Sequence, residues 1–404
     1  MPDLVVRVYN VRFGDAVLVS IPDEEAGAPV ERHILFDFGN ALTLEGGADA
    51  VLVPVVDDIL ARLGGAPLDL YVMTHEHLDH VQGLFYAKEV HGKAVTARQA
   101  WLTASAAPDY YATHPDARRK RIAALAAYRT AAARFSATAL ASPSLSMLMA
   151  TNNPRSTKQC IDHLREHLAP PGGVHYVSRE TDLSGLQPAA SATVTLLAPE
   201  EDTADYYRSF ASLAAALRLG DDVVDDLDLG LEPVAHVPTP IPPRGVDAGA
   251  FYNLLDVRHG NAASTMLEID RAANNTSVVL LLEWNGWRLL FTGDAEKRSW
   301  RTMDSLDLVT PVHFLKVSHH GSETGMPPPR VLDKLLPVPA PGASRPRAAV
   351  STYPGNYPGV PNDLTLAGLR ARADVVSTLD LAPGELFLEL RFPDTGPPPQ
   401  AGDR

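Results

Sequence analysis

The first hundred positions of the chain contain short apolar runs that are bounded by turn residues. Some of the segments between these runs carry apolar residues at helical spacing. Leu4–Ile21 and His33–Phe38 have the composition of strands, and Leu68–Met73 is a mostly apolar run typical of a buried strand. Ala50–Leu63 carries apolar residues at helical spacing and is followed by two glycines, and a second helix is expected over Val81–Val90. The pattern predicts strands and helices in alternation.

The middle of the chain changes character, because helical spacing prevails between residues 105 and 261. Val194–Ala198 returns as a strand within this region. The predicted helices are Asp116–Ala141, Ser156–Leu168 and Asp205–Leu219. We interpret 105–261 as a mostly helical elaboration, interrupted by core strands, that covers the active site and shapes the substrate pocket.

Strand-like patterning resumes near residue 278. Val278–Glu283 and Trp287–Thr292 are apolar runs joined by Asn-Gly, a strong hairpin signal because both residues tolerate positive φ. This hairpin leads to Asp294 much as the earlier one leads to Asp37, so the two halves of the chain look like a distant internal repeat. Val375–Phe392 is expected to form a closing hairpin.

Composition limits the classes of protein that the chain can belong to. It has 404 residues, 45% of them hydrophobic, which suffices for a sizeable core. No run approaches the roughly 18 apolar residues of a membrane span, and the N-terminus does not resemble an export signal, so we expect a cytoplasmic protein without membrane association. The lone Cys160 cannot form an internal disulfide. The net charge of −14 disfavours strong binding of duplex nucleic acid, although bound divalent cations would still admit a small phosphorylated substrate.

Candidate chemistry is concentrated directly after the run that ends at Met73. His75, His77, Asp79 and His80 fall within six positions. Alternate residues of an extended segment point the same way, so His75 and His77 can share one metal ion while Asp79 and His80 reach a second as the chain turns. Imidazoles and a carboxylate suit zinc, or another divalent ion such as manganese. A histidine-rich polar loop without a metal is the alternative interpretation.

The His-x-His-x-Asp-His motif resembles the signature of the metallo-β-lactamase fold superfamily. The resemblance implies an α/β chain built as a four-layer αββα sandwich, with a two-metal hydrolytic site at one edge of the sheets. It assigns bridging of the two metals to Asp294 and completion of the second metal to His320, with Asp37 bracing the metal loop. On this interpretation residues 1–392 form one hydrolase domain that includes the helical elaboration, and 393–404 form a disordered tail.

Within the superfamily, the chain is most similar to the hydrolase domain of the bacterial competence DNA-uptake channel and its stand-alone relatives, which include a phosphorylcholine esterase. The similar segments, besides the metal motif, are FGD at Phe13, NNTS at Asn274, TGD at Thr292, HHGS at His319 and NYPGVP at Asn356. This similarity implies phosphodiester chemistry.

One departure from the superfamily pattern concerns the first metal. Classical members place a histidine just before the strand that leads to the bridging aspartate, whereas this chain has Asn274 and Asn275 there. We predict Asn275 as a weak ligand, because a carboxamide oxygen binds zinc less strongly than an imidazole nitrogen. The first metal is therefore expected to bind less tightly than the second.

A second departure concerns the proton donor. Relatives tend to carry a histidine in the late Tyr-Gly-His-Pro loop, and this chain reads Tyr-Pro-Gly-Val-Pro instead. His319, Tyr353 and Tyr357 are the candidates to protonate the leaving group, and Asp79 is expected to hold its metal and the attacking water in line.

These features predict a dinuclear metal-dependent hydrolase, of phosphodiesterase type, that acts through a metal-bound hydroxide on a small-molecule or short phosphodiester substrate. Two divalent metal ions, zinc or alternatively manganese, are the expected cofactors. Hydrolysis of a lactone, thioester or amide on the same metal site is one alternative. A non-catalytic interaction protein with a structural metal is the other, and the sequence makes no prediction of oligomeric state.

Overall fold

Two mixed β-sheets, one of seven strands and one of six, carry the candidate residues at their strand ends. The computed structural model describes residues 2–40, 49–136, 143–216, 263–353 and 359–398. The strands are β1 (Leu4–Tyr9), β2 (Val17–Glu25), β3 (Ala28–Phe36), β4 (Leu68–Met73), β5 (Ala97–Thr103), β6 (Val174–Val177), β7 (Ala192–Ala198), β8 (Val279–Trp284), β9 (Trp287–Phe291), β10 (Phe314–Lys316), β11 (Arg347–Val350), β12 (Asp374–Ser377) and β13 (Phe387–Phe392).

The two sheets share one topology. In the first sheet β1, β2 and β3 pair antiparallel, and β4, β5 and β6 follow in parallel. In the second sheet β7, β8 and β9 pair antiparallel, and β10, β11 and β12 follow in parallel. The predicted Asn-Gly hairpin joins β8 to β9, with both turn residues at positive φ. The expected internal repeat is therefore confirmed at the level of strand order and direction.

The main core contains residues from both sheets. β4 is buried along its whole length, and its alternate residues enter different clusters: Leu70 and Val72 join the cluster that contains both sheets, whereas Tyr71 and Met73 face the first pair of helices. The rings of Phe36 and Phe291, at the ends of the equivalent strands β3 and β9, stack with centroids 4.3 Å apart. Side chains from the two sheets thus pack against each other.

Helices bury their apolar faces against the sheets. The helices are α1 (Asp49–Leu63), α2 (Leu78–His91), α3 (Tyr110–Thr113), α4 (Pro115–Ser136), α5 (Pro143–Thr151), α6 (Pro154–His163), α7 (Ala211–Ala216), α8 (263–274), α9 (Lys297–Ser305), α10 (Pro329–Leu335) and α11 (Asp363–Arg370). Helices α1, α2 and α6 share a cluster with the first sheet, and α9, α10 and α11 share one with the second. Within the described ranges no helix is both long and apolar enough to cross a membrane.

The described part of 105–261 is mostly helical. The predicted helix Asp116–Ala141 corresponds to α4 as far as Ser136, and its last residues fall in 137–142, outside the described ranges. The predicted helix Ser156–Leu168 corresponds to α6 with a π-helical turn, Leu164–Leu168. The prediction Asp205–Leu219 is longer than α7, and its last residues fall in 217–262, outside the described ranges. Strands β6 and β7 interrupt the elaboration, and each belongs to a different sheet.

One prediction about the C-terminal region is wrong. Val375–Phe392 is not a hairpin, because β12 pairs with β11 in the second sheet while β13 returns to β1 in the first. At the start of the predicted tail, Trp287 Nε1 donates a hydrogen bond to the Pro393 carbonyl (2.8 Å) and Asn285 Nδ2 donates one to Asp394 Oδ1 (2.8 Å). Residues 399–404 of the predicted tail lie outside the described ranges.

Candidate metal centre

The histidine-rich motif occupies the loop after β4 and the start of α2. His75 and His77 lie in the loop, whereas Asp79 and His80 form part of the first helical turn. The predicted helix started at Val81, so the helix begins three residues earlier than expected. All four side chains are buried, because this turn enters the interior between the two sheets' strand ends.

Two glycine-containing loops hold that first turn in place. The Asp15 N–H donates to the Asp79 carbonyl (3.0 Å), and the Phe38 N–H donates to the His80 carbonyl (2.7 Å). A Cβ at Gly39 would lie 2.4 Å from the Asp79 carbonyl carbon, so no larger residue fits there. The loops that contain Phe13–Asp15 and Asp37–Gly39 thus hold the backbone of Asp79 and His80 in place.

Four buried donor atoms converge beside these loops. They come from Asp79, His80, Asp294 and His320, and all lie within 4.8 Å of one another. His80 Nε2 is 3.4 Å from Asp294 Oδ2 and 3.8 Å from Asp79 Oδ2. His320 Nε2 is 3.5 Å from Asp294 Oδ2 and 3.3 Å from Asp79 Oδ2. Each imidazole nitrogen therefore lies between two carboxylate oxygens.

This spacing suits a tetrahedral metal ion. Zinc binds imidazole and carboxylate at about 2.0–2.2 Å, which places neighbouring ligand atoms roughly 3.3–3.5 Å apart. Three of the four nitrogen–oxygen distances are 3.3, 3.4 and 3.5 Å. His80 Nε2 and Asp79 Oδ1 are also buried without a hydrogen-bond partner, which is unfavourable for polar atoms unless they bind something. The four side chains could hold a metal ion.

The opposite nitrogen of each imidazole contacts an acceptor. His80 Nδ1 is 2.8 Å from Asp37 Oδ2, and His320 Nδ1 is 3.0 Å from the Ser351 carbonyl oxygen. An acceptor there places the ring proton on Nδ1 and leaves the Nε2 lone pair facing the cluster. Asp37 also accepts from the backbone N–H and the hydroxyl of Thr74 (2.8 and 2.6 Å). Asp37 therefore links the His80 ring to Thr74, the residue just before the histidine-rich loop.

His75 and His77 form a second arrangement beside the cluster. His75 Nε2 and His77 Nδ1 face each other at 3.0 Å. The far nitrogens contact other groups: His75 Nδ1 is 3.1 Å from Thr74 Oγ1, and His77 Nε2 is 2.9 Å from Asn152 Oδ1. If both far nitrogens donate, two lone pairs face each other, and a shared cation would remove their repulsion.

The buried carboxylates and imidazoles of the cluster stabilise one another's charged forms. Burial acts to raise the pKa of Asp294, but the imidazoles of His80, His320 and His319 outweigh it and hold this pKa well below its usual value. Burial acts in the opposite direction on His80, where the carboxylates of Asp294, Asp37 and Asp79 outweigh it and raise the pKa well above normal. Burial and the neighbouring imidazoles lower the pKa of His75 well below normal, so this ring is neutral at pH 7. A neutral imidazole is the form that binds metals, so a metal ion at His80 would displace the second ring proton from Nε2.

The two consecutive histidines after β10 point in different directions. His319 and His320 have φ of 47° and 53°, a left-handed conformation that costs about 1–3 kcal/mol for a non-glycine residue. This conformation directs His320 into the buried cluster, against the Phe13 ring at 4.4 Å. His319 remains at the rim, with Nδ1 3.5 Å from Glu296 Oε1. His320 therefore lies among the four buried donor atoms, whereas His319 does not.

The prediction for Asn275 is corrected by its contacts. Its amide nitrogen donates to the Arg271 carbonyl (2.7 Å), and its amide oxygen accepts from the Ser299 hydroxyl (2.9 Å). Both ends of the carboxamide are therefore engaged outside the cluster. Asn274 is the asparagine with a buried amide oxygen that has no partner, and its nitrogen donates to Asp270 Oδ2 (3.2 Å) and Glu296 Oε1 (3.1 Å).

Sequence analysis made no prediction for two residues near His77, Asn152 in the helical elaboration and Asp270 on α8. Asn152 contacts His77 as described above, and its amide nitrogen donates to Asp270 Oδ1 (2.9 Å), which lies 3.9 Å from His77 Nε2. Asp270 is one helical turn before Asn274 on α8, a spacing that could have linked it to the NNTS segment. Asn152, between α5 and α6, has no such signal in the sequence.

A cavity of about 280 Å³ adjoins the cluster. The polar residues that line it include His77, Asp79, Asp294, His319, Glu296 and Arg271. Of the candidate proton donors, His319 lines this cavity and Tyr353 does not, and Tyr357 lies outside the described residues. The cavity gives a small ligand access to the cluster.

No protein-family model matches the chain, and no curated protein has a significantly similar sequence.

Proposed function

We propose that the chain is a metal-dependent hydrolase with a dinuclear centre, of phosphodiesterase type, built on the four-layer metallo-β-lactamase sandwich. The observation that carries the proposal is the alternation of Asp79, His80, Asp294 and His320 donor atoms at the spacing of tetrahedral zinc ligands. The orientation of His80 and His320 by acceptors on their far nitrogens supports it.

The fold supports the same proposal. Two sheets with the same strand order, a core that draws on both, and helices packed on their other faces are the elements of an αββα sandwich. The cluster lies where the loops after β4, β9 and β10 meet, which is the edge at which the resemblance implies a metal site.

Each protein group has a proposed role. His75 and His77 would hold the first ion, Asp79, His80 and His320 would hold the second, and Asp294 would lie between the two positions. Bound divalent ions would acidify a water molecule and stabilise the negative charge that develops on the oxygens of the attacked phosphate. Asp79 orients that water through Oδ1, which is buried and has no partner in the described chain.

The proton for the leaving group comes from His319 in this proposal. Its Nδ1 lies near Glu296 Oε1 (3.5 Å) and Thr324 Oγ1 (3.3 Å), which orient the ring. Its Nε2 then remains to exchange a proton with the leaving oxygen, at the rim of the 280 Å³ cavity.

The test uses purified protein that has been chelated and reloaded with zinc or manganese. We expect hydrolysis of bis-p-nitrophenyl phosphate that depends on the metal and exceeds that of nitrocefin and of a simple lactone. His320→Ala should lower this rate at least about a thousandfold, because metal-based charge stabilisation is worth several kcal/mol. His91→Ala is the matched control, since His91 pairs with Asp49 at the far end of α2.

Two results would contradict parts of the proposal. Loaded protein that hydrolyses none of these substrates would rule out the enzyme class as proposed. Hydrolysis of the lactone without hydrolysis of the phosphodiester would keep the metal centre and reject the phosphodiesterase assignment.

A further inference from the structure

A second cavity, of about 420 Å³, lies within the helical elaboration beside the metal motif. Its size falls in the range of roughly 300–1,000 Å³ typical of small-molecule sites. Helix α4 lines one wall with Arg118, Arg121, Leu125 and Tyr128, whose spacing of three, four and three residues places them on one helical face.

The facing wall comes from α6 and the turn that follows it. Lys158, Ile161 and Arg165 contribute to this wall, again at helical spacing. Four cationic side chains line the cavity, namely Arg118, Arg121, Lys158 and Arg165, and Glu76 is the carboxylate among the lining residues. Asp162, which does not line the cavity, pairs with Lys158 and Arg165. This excess of positive charge occurs in a chain whose net charge is −14.

The cavity is tied to the metal motif by direct contacts. Glu76 lies between His75 and His77 in the sequence, and its carboxylate is 3.3 Å from Arg121 Nη2. The Arg121 guanidinium also stacks over the Tyr111 ring at 4.4 Å, which fixes it as part of the wall. His77 lines both this cavity and the smaller one at the metal centre. His77 therefore lies at the boundary between the cationic cavity and the cavity beside the cluster.

We infer that this cavity binds a second anionic group of the substrate, so that the substrate is a compact phosphodiester with a further phosphate on an aromatic or alicyclic body, of nucleotide size. The assignment of the bound phosphodiester rests on the proposed function. Arginine and lysine side chains bind the additional phosphate, and Tyr111, Tyr128 and Tyr207 provide apolar ring surface for the body. The limited volume excludes a folded polymer from the cavity.

The test compares two chromogenic substrates that differ by one phosphate. These are the p-nitrophenyl ester of thymidine 5′-phosphate, with and without a 3′-phosphate. Wild type should show a higher kcat/KM for the 3′-phosphorylated ester, and Arg118→Gln should lower the ratio of the two values roughly tenfold, as expected when one charged hydrogen bond is lost. Arg119→Gln should keep the wild-type ratio, because Arg119 pairs with Asp116 and does not line the cavity.

A calorimetric titration with thymidine 3′,5′-bisphosphate separates this inference from the proposed function, because it requires no turnover. Binding about tenfold weaker in Arg118→Gln than in Arg119→Gln supports the cavity even if neither ester is hydrolysed, in which case the proposed function fails alone. Hydrolysis of both esters at equal efficiency, or equal effects of the two variants, would overturn the cavity assignment and leave the hydrolase intact. Thymidine binding as tightly as its bisphosphate would also overturn it.

Discussion

Asp37 and Asp294 occupy equivalent positions in the two halves of the molecule but have different surroundings. Each follows the third strand of its half: Asp37 comes directly after Phe36 at the end of β3, and Asp294 comes three residues after Phe291 at the end of β9. Asp37 accepts hydrogen bonds from Thr74 and contacts His80 Nδ1, so it faces the outer side of the histidine ring. Asp294 faces the Nε2 atoms of His80 and His320.

The difference shows how one strand arrangement can supply two functions. In the first half the next strand, β4, leads into the histidine-rich loop, so the aspartate before it is close enough to orient that loop. In the second half the next strand, β10, leads to His319 and His320, and Asp294 lies between these histidines and the motif of the other half. The first half thus supplies most donors, and the second half completes their arrangement.

The sharpest way to break this comparison is to neutralise one aspartate at a time. Asp294→Asn should lower the rate of metal-dependent hydrolysis at least about a thousandfold, because it deletes a negative charge that faces two imidazole nitrogens. The fold should persist, since the change is isosteric. Rates with bis-p-nitrophenyl phosphate and circular dichroism measure the two effects, and near-normal activity would show that Asp294 is not a ligand.

A buried ion pair joins the two halves and offers the next largest effect. Lys316 Nζ on β10 is 2.7 Å from Asp15 Oδ2 in the loop after β1, and both side chains are almost fully buried. Lys316→Met should lower the free energy of unfolding by about 3–5 kcal/mol, because it leaves the Asp15 carboxylate buried without its cation. Denaturant titration measures this loss. Adding Asp15→Asn should recover part of it, and a double variant less stable than the single one would contradict the pairing.

Asp37→Asn should have a smaller effect than either change. Residues that orient a metal-binding histidine through its other nitrogen typically contribute a factor of about 10–100 to metal affinity. Zinc affinity of Asp37→Asn should fall by that factor while Asp294→Asn loses more. An equal loss in the two variants would indicate that the two aspartates have the same role.

The sequence predicted most of the strands, the internal repeat and the Asp79–His80 part of the cluster because these features have local signals, whereas Asp294 and His320 entered through the resemblance to a known superfamily. Alternating and helical apolar spacing, the Asn-Gly turn and the short motif spacing each depend on neighbouring residues. Asn152 and Asp270 were not predicted because their contacts with His77 depend on how the helical elaboration and α8 pack on the core. Asn275 was chosen over Asn274 because spacing alone does not determine which amide turns towards Ser299. The wrong hairpin at β12 and β13 has the same origin, since β13 pairs with the first strand of the chain.

The smallest expected effect concerns acid stability of the first half. Burial, followed by the charges of Lys88 and His167, lowers the pKa of His163 to about 4, whereas an unfolded histidine has a pKa near 6.5. The unfolded chain therefore binds a proton more readily, and stability from this residue is lost as the pH falls from about 6.5 to 4. His163→Phe should reduce the drop in unfolding free energy between pH 7 and 5. An unchanged drop would show that His163 is not responsible.

Stepwise metal binding tests the central claim most directly. Chelated protein should be titrated with zinc in a calorimeter, with His320→Ala and His77→Ala measured in parallel. We predict two binding steps per chain, the tighter one lost in His320→Ala and the weaker one lost in His77→Ala. The reason is that four described donors converge at the second position, whereas two imidazole nitrogens face each other at the first. Two equally tight steps would contradict the asymmetry, and no zinc binding at all would contradict the metal centre itself.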